Sequence, residues 1–245
     1  QISDIKVLAD NKILFCGYSL VSSAYKAFVR KMNANGSLDP TFGTSGIANI
    51  PFTASGSQYA NGLGFDSDGN ILVLGQQYST RFVIGVAKLS PNGTLNTAFS
   101  TDGVMTHSFA NSQNYSASIH GLADGKILIT GYATATGQNY KGFAARLSAE
   151  GTLDAAYGTA GQTAIASGTA YNGLYASTVL ADGSLVATGE AFVQNRYQGT
   201  VFKVTSGGAL DATFGTAGVA FFSSTPVDAF GNGIVATATG VWAAG

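Results

Sequence analysis

The chain is poor in charge, sulfur and imidazole. Among 245 residues there are 12 Lys plus Arg, 13 Asp plus Glu, 2 His and 1 Cys, for a net charge of -1. Such a balance offers no basic footprint for nucleic acid or an anionic membrane surface. The single Cys16 excludes an intrachain disulfide and any multi-cysteine zinc site. No stretch approaches the roughly 18 apolar residues of a spanning helix, so membrane insertion is not expected. The opening Gln1-Ile2-Ser3-Asp4 is no signal peptide, which leaves a removed leader or a fragment. What the chain has instead is 45% apolar residues, enough for a sizeable core, together with 33 glycines.

The glycines fall in phase. Gly17, Gly75, Gly131, Gly189 and Gly245 each close an apolar run, at intervals of 58, 56, 58 and 56 residues. The runs, such as Lys12-Ile13-Leu14-Phe15-Cys16-Gly17 and Lys126-Ile127-Leu128-Ile129-Thr130-Gly131, read as buried strands. Asp10-Asn11, Asp68-Gly69, Asp124-Gly125 and Asp182-Gly183 precede them and suit the positive φ of a tight hairpin, with a further strand before each turn. A second anchor follows in each full repeat, at Gly36, Gly93, Gly151 and Gly208. It leads through Phe42, Phe99, Tyr157 or Phe214 into a short strand candidate: Ile47 to Phe52, Val104 to Phe109, Gln162 to Ala166 and Val219 to Phe222. With one more β-like segment between the anchors, each repeat holds four strands.

Four short strands per repeat, without helical periodicity, predict an all-β fold: a β-propeller of four-stranded blades with a period of about 57 residues. The expected repeats are 1–58, 59–114, 115–170, 171–228 and a partial 229–245 in one propeller. The ring is expected to be incomplete in this segment, because both ends occupy the same phase; the natural protein is expected to continue beyond Gly245 and to begin before Gln1.

The run Leu122-Ala123-Asp124-Gly125-Lys126-Ile127-Leu128-Ile129-Thr130-Gly131, then Ala145-Arg146-Leu147, Gly151-Thr152-Leu153-Asp154 and Tyr157-Gly158, resembles the delta-60 repeat family of bacterial β-propellers. The resemblance spans the whole chain. It implies a bacterial surface or secreted protein and no particular activity.

Residues recurring at one phase serve the blade; departures need another account. Lys31, Lys88, Arg146 and Lys203 recur, as do Asp39, Asp154 and Asp211, and are expected to pair within blades. Asn96 replaces the acid in repeat two, so Lys88 should be less restrained than its counterparts. Asp66 stands where Leu8, Leu122 and Leu180 stand, the sharpest departure, and is a candidate ligand residue; Gln77 in place of a closing glutamate argues against a calcium loop there. His120 falls on a first strand, the strand nearest the channel, at the phase of Lys6, Gly64 and Thr178, and is a candidate pocket residue. Cys16 is expected to be a buried inert thiol and Trp242 an enlarged core side chain.

The loops joining second and third strands carry Tyr25, Tyr78, Tyr140 and Tyr197, with Arg81, Arg196 and Glu190 in the same loops. In a propeller equivalent loops gather on one face, so these tyrosines are expected to form an aromatic rim for sugars or for a protein surface. No catalytic constellation, metal-ligand spacing or cofactor motif is present. The reading is a non-catalytic extracellular binding module, adhesin- or lectin-like. Its expected partner is a glycan, surface polymer or protein at the loop face, with self-assembly through the open half-blade edge as a further expectation. Two alternatives are a structural subunit of a surface filament and a channel-sited hydrolase or lyase with its key residues elsewhere.

Overall fold

A computed structural model describes residues 1–53, 55–166, 171–222, 228–237 and 240–245. The expected repeat limit at 170 lies outside them. Among the described residues every regular element is a strand. The first sheet is β1 (Ile2–Val7), β2 (Ile13–Val21), β3 (Ala24–Met32) and β4 (Ile47–Ile50). The second is β5 (Ser57–Phe65), β6 (Ile71–Tyr78), β7 (Phe82–Leu89) and β8 (Val104–His107). The third is β9 (Gln113–Gly121), β10 (Ile127–Thr134), β11 (Lys141–Leu147) and β12 (Gln162–Ile165). The fourth is β13 (Asn172–Val179), β14 (Leu185–Val193), β15 (Arg196–Val204) and β16 (Val219–Phe222), and a two-stranded sheet of β17 (Gly233–Thr237) and β18 (Gly240–Ala244) follows. Each is an antiparallel meander in sequence order. Successive sheets pack face to face, giving the propeller arrangement, and they do not close into a ring.

The turn chemistry follows the expected signals. Asn11, Gly69, Gly125 and Gly183 take φ of 59°, 79°, 81° and 78° between first and second strands. Three apolar cores lie between successive sheets; Leu14, Val29, Ile50 and Phe52 of the first, for example, meet Leu63, Val73 and Leu89 of the second. Cys16 is fully buried in that layer, and burial pushes its thiol up to about 12.

Two contacts explain the phased glycines. Each first strand bulges at Ser3, Asn61, Ala117 or Tyr175, which kinks it toward its partner strand. A Cβ on Gly75 or Gly131 would lie 2.0 or 2.1 Å from the carbonyl oxygen of Tyr59 or Tyr115. The bulge therefore excludes any side chain there. The second anchor is a clasp between sheets: Phe42, Phe99 and Tyr157 are each 1% exposed. A Cβ on Gly93 would meet the Phe42 ring at 2.9 Å and one on Gly151 the Phe99 ring at 2.8 Å. Beside the rings the amides of Gly43, Ser100 and Gly158 donate to the carbonyls of Asn92, Glu150 and Gly207 in the next sheet, at 2.7, 2.8 and 2.9 Å.

One packing expectation fails. Trp242 is 65% exposed, because β18 belongs to a two-stranded sheet whose outer face no described residue covers.

Candidate functional site

The charged positions near the hairpins divide into pairs that the chain satisfies by itself. Lys12 meets Asp39 at 2.8 Å, Lys126 and Arg146 share Asp154 at 3.0 and 2.8 Å, and Lys203 meets Asp211 at 2.9 Å. Lys31 lies instead over the Phe42 ring, 6.0 Å from its centroid, so in the first sheet the acid is held by Lys12 and not by the residue expected. The second sheet reverses the expectation for Lys88. Its ammonium sits 2.7 Å from Asp66, and both side chains are buried, at 9% and 2% exposure. The carboxylate missing at Asn96 has moved to Asp66, and Lys88 is more restrained than its counterparts.

Both Asp66 oxygens are engaged by its own sheet. Its Oδ1 accepts the Asp68 and Asn70 amides and its Oδ2 the Asn70 side chain and Lys88. Burial pushes this carboxyl upward, but Lys88 and Asn70 outweigh burial and hold it below the usual carboxylate range.

The tyrosines come together, although not as an isolated rim. By ladder register Tyr25, Phe82, Tyr140 and Tyr197 occupy equivalent places on the third strands or just before them; Tyr78 ends β6 and faces Phe82 across the hairpin. These rings meet others from the first and second strands. Tyr18 contacts Tyr25 and Tyr59; Phe82 bridges Tyr59 and Tyr115; Tyr115 stacks on Tyr132, which reaches Tyr175. Tyr140, Tyr171, Tyr197 and Phe230 carry the series onward. Centroids of these pairs lie 4.8 to 5.9 Å apart, the edge-on and offset range aromatic rings prefer. All tyrosines but Tyr157 belong to this belt, and each belt ring keeps part of its surface in solvent.

Reading the loops alone missed the inner half of the belt. Its signal was present, since Tyr59 and Tyr115 both stand 16 residues before a phased glycine and Tyr18 and Tyr132 directly after one. Burial first, and neighbouring phenols next, push Tyr115 and Tyr132 up to about 12, so these hydroxyls remain neutral donors.

Glu190 is not a loop residue. It lies on β14, 4% exposed, where other sheets place Tyr18, Gln76 and Tyr132. Opposite it stands Gly173, which leaves room for the Tyr175 hydroxyl to donate to Oε1. Burial raises the Glu190 carboxyl despite that bond, and Oε2 is buried with no partner among the described residues. Of the loop cations, Arg81 donates to the Asn111 carbonyl at 2.8 Å, and Arg196 begins β15 with its Nε buried and unpartnered among the described residues.

Inside the belt a groove of about 680 Å³ runs along the first strands, lined by Asp4, Lys6, Gly62, Gly64, Ser118, His120, Tyr175 and Ser177 among others. His120 does reach it. Its Nε2 lies 2.9 Å from Ser177 Oγ, which is 3.0 Å from Thr130 Oγ1. Burial first and Lys6 second push this imidazole down to about 4. His120 is neutral at pH 7 and joins the third sheet to the fourth. Among the described residues no group of three or more His, Cys, Asp or Glu is placed to hold a metal ion.

Comparison with known proteins bears on the family. No curated protein matches the sequence. Among solved structures the chain resembles a Bacteroides caccae protein of unknown function at 13% identity and TM-score 0.46, over 91% of this chain and 73% of that one. It also resembles a GH43 endo-arabinanase from Bacillus licheniformis at 15% identity and TM-score 0.42, over 84% and 74%. A third likeness, to an endo-1,4-beta-xylanase from Bacteroides thetaiotaomicron, has 12% identity and TM-score 0.37, over 91% and 94%. No activity is carried over from these distant likenesses. The model of a domain of unknown function (DUF5122) beta-propeller matches residues 8–42, 67–99, 122–157 and 180–214. Those four stretches begin at the first hairpin of each four-stranded sheet and end at the aromatic that follows its second anchor glycine, Phe42, Phe99, Tyr157 or Phe214, so the chain belongs to the DUF5122 beta-propeller family.

Proposed function

We propose that the protein is a non-catalytic extracellular binding module whose contact surface is the tyrosine belt, and that its ligand is a glycan. The observation that carries this reading is the continuity of partly exposed tyrosines across all four sheets, bridged by Phe82 between the second and the third. A tyrosine offers an apolar face for a sugar ring and a hydroxyl for its hydroxyls, and rings held by one another lose little freedom on binding. The low charge of the chain suits a neutral polymer better than a polyanion.

A glycan array probed with the protein and with a Tyr25→Ala, Tyr140→Ala, Tyr197→Ala variant tests the reading. Saturable binding lost in a variant that keeps its β-sheet circular dichroism is expected. Absence of glycan binding by the unaltered monomer would overturn it and leave the belt as mortar between hairpins.

A further inference from the structure

The groove makes one hydrogen bond between the first and second sheets and again between the third and fourth, and omits it between the second and third. Asp4 Oδ2 accepts the Leu63 amide of the next first strand at 2.8 Å. Two sheets on, Ser118 Oγ accepts the Ser177 amide at 3.0 Å. Asp4, Gly62 and Ser118 hold equivalent ladder positions opposite Cys16, Leu74 and Thr130, and the amides concerned belong to Leu63, Ile119 and Ser177. Between the two capped amides, then, stands Ile119, and the residue that should cap it is a glycine.

The Ile119 amide cannot be satisfied by its own sheet. The hairpin bond from Leu122 to Lys126 fixes the alternation of the β9–β10 ladder. His120 opposite Leu128 is then a bonded pair, and Ile119 opposite Ile129 a non-bonded pair whose amides point away from the partner strand. Leu63 and Ser177 obey the same alternation, and their outward amides are the two that Asp4 and Ser118 accept. No described side chain accepts from Ile119, a residue that lines the open groove. The amide that the neighbouring sheets cap with a side chain is here left to an acceptor from outside the chain.

The surroundings define what would pair. Lys6 comes from the first sheet and His120 from the third, while Gly62 and Gly64 of the second leave the floor between them bare. Lys6 is tied to Asp4 at 3.1 Å but keeps 40% of its side chain exposed. In the first sheet the cap is itself a carboxylate, held by an outward amide and by Lys6.

We propose that the groove is a carboxylate-binding site, in which an acidic ligand takes the place of the side chain missing at Gly62, accepting from the Ile119 amide and Lys6 with His120 at its flank. Asp4, Lys6 and His120 are the charged or titratable groups that face this spot, together with the Tyr175 phenol, and Asp4 and Lys6 offset one another. A bound anion favours protonated His120, so binding draws a proton onto the ring and tightens as the pH falls from 7 toward 5. The proposal does not rest on the belt's loop tyrosines, none of which lines the groove; Tyr175 alone of the belt does.

Titration of ¹⁵N-labelled protein with sodium glucuronate, sodium acetate and glucose, followed by NMR, decides it. Both carboxylates are expected to move the Ile119 amide and His120 ring signals saturably, glucose to move neither, and the His120 pKa to rise from about 4. Tighter binding of glucuronate than acetate would assign the carboxylate to an acidic sugar; equal binding would assign the site to small carboxylates at large. Gly62→Ser supplies a hydroxyl as Ser118 does, in a place where a Cβ meets its nearest atom at 3.8 Å, and should weaken binding about tenfold or more. Lys6→Met should weaken it to a similar extent while leaving the Asp4 bond to Leu63. Unmoved Ile119 and His120 signals in the unaltered protein would overturn the proposal, and so would an affinity in both variants equal to that of the unaltered protein.

Discussion

The second sheet and the fourth hold the same lysine in opposite ways. In the fourth, Lys203 reaches the recurrent acid Asp211 at a wet edge, with the two side chains 25% and 16% exposed. In the second, the acid has moved to the end of the first strand, so Lys88 turns inward and both charges are dry. A surface pair of the first kind contributes little, while breaking a buried pair leaves one charge without water or partner. Equivalent places in a repeat protein thus carry unequal energetic weight, and the weight follows where the counter-charge sits. The groove shows the same second sheet departing again, with Gly62 and Gly64 where its neighbours carry Asp4, Lys6, Ser118 and His120.

The comparison can be broken most severely at the glycines. Gly131→Ala forces a Cβ to within 2.1 Å of the Tyr115 carbonyl and should cost about 4 kcal/mol or more, or abolish folding. Gly62→Ala, on the first strand of the second sheet where a Cβ meets its nearest atom at 3.8 Å, should change stability by less than about 1 kcal/mol. Urea denaturation of both variants checks the contrast.

The ion pairs rank next. Asp66→Asn should cost about 3 kcal/mol by stranding Lys88, and Lys203→Met should leave the thermal midpoint nearly unmoved. Asp66→Leu combined with Asn96→Asp rebuilds the fourth sheet's arrangement in the second and should recover most of the loss. A double variant as unstable as Asp66→Asn alone would show that the relocation is not a simple exchange.

Acid gives a smaller effect with a definite sign. His120 is lowered to about 4 from an ordinary 6.5, so the unfolded chain takes up a proton before the folded one does. Its contribution is complete above pH 6.5 and is lost as the pH falls through 4, by at most about 3 kcal/mol. Asp211 is lowered to about 2, chiefly by Thr213 and Lys203, so its contribution is present above the ordinary carboxylate value and fades as the pH falls toward 2. Stability curves of the protein and of His120→Gln should therefore differ in slope between pH 6.5 and 4 and run parallel between 4 and 2.

The smallest expected effect is at Glu190. The near-isosteric Glu190→Gln keeps an acceptor for the Tyr175 hydroxyl and removes a carboxyl that burial already disfavours in its charged form. Stability at neutral pH should change by less than about 1 kcal/mol.

The repeat length, strand number, hairpin turns and clasp aromatics were legible in the chain because each is a local requirement, imposed again in every blade. Asp10-Asn11 makes its turn, and Gly75 ends its run, whatever lies across the groove. The rim tyrosines were legible as a phase, but Phe82 was not, because the loop before it differs in length and only ladder register aligns it with Tyr25. Glu190 looked like a loop residue for the same reason: β14 extends to Val193, and the expected strand stopped at Gly189.

What only the tertiary structure decided was partnership between segments remote in sequence. Lys88 could not be matched with Asp66 by phase, since phase assigns it to position 96. The exposure of Trp242 depends on which sheet lies over it. The uncapped Ile119 amide depends on a glycine in the neighbouring sheet and on the alternation of its own ladder. The sequence by itself determined four copies of one blade, because turns and apolar alternation act over a few residues. The tertiary structure decided where the copies differ in their contacts, because contacts between copies are set by packing across sheets, which no single repeat encodes.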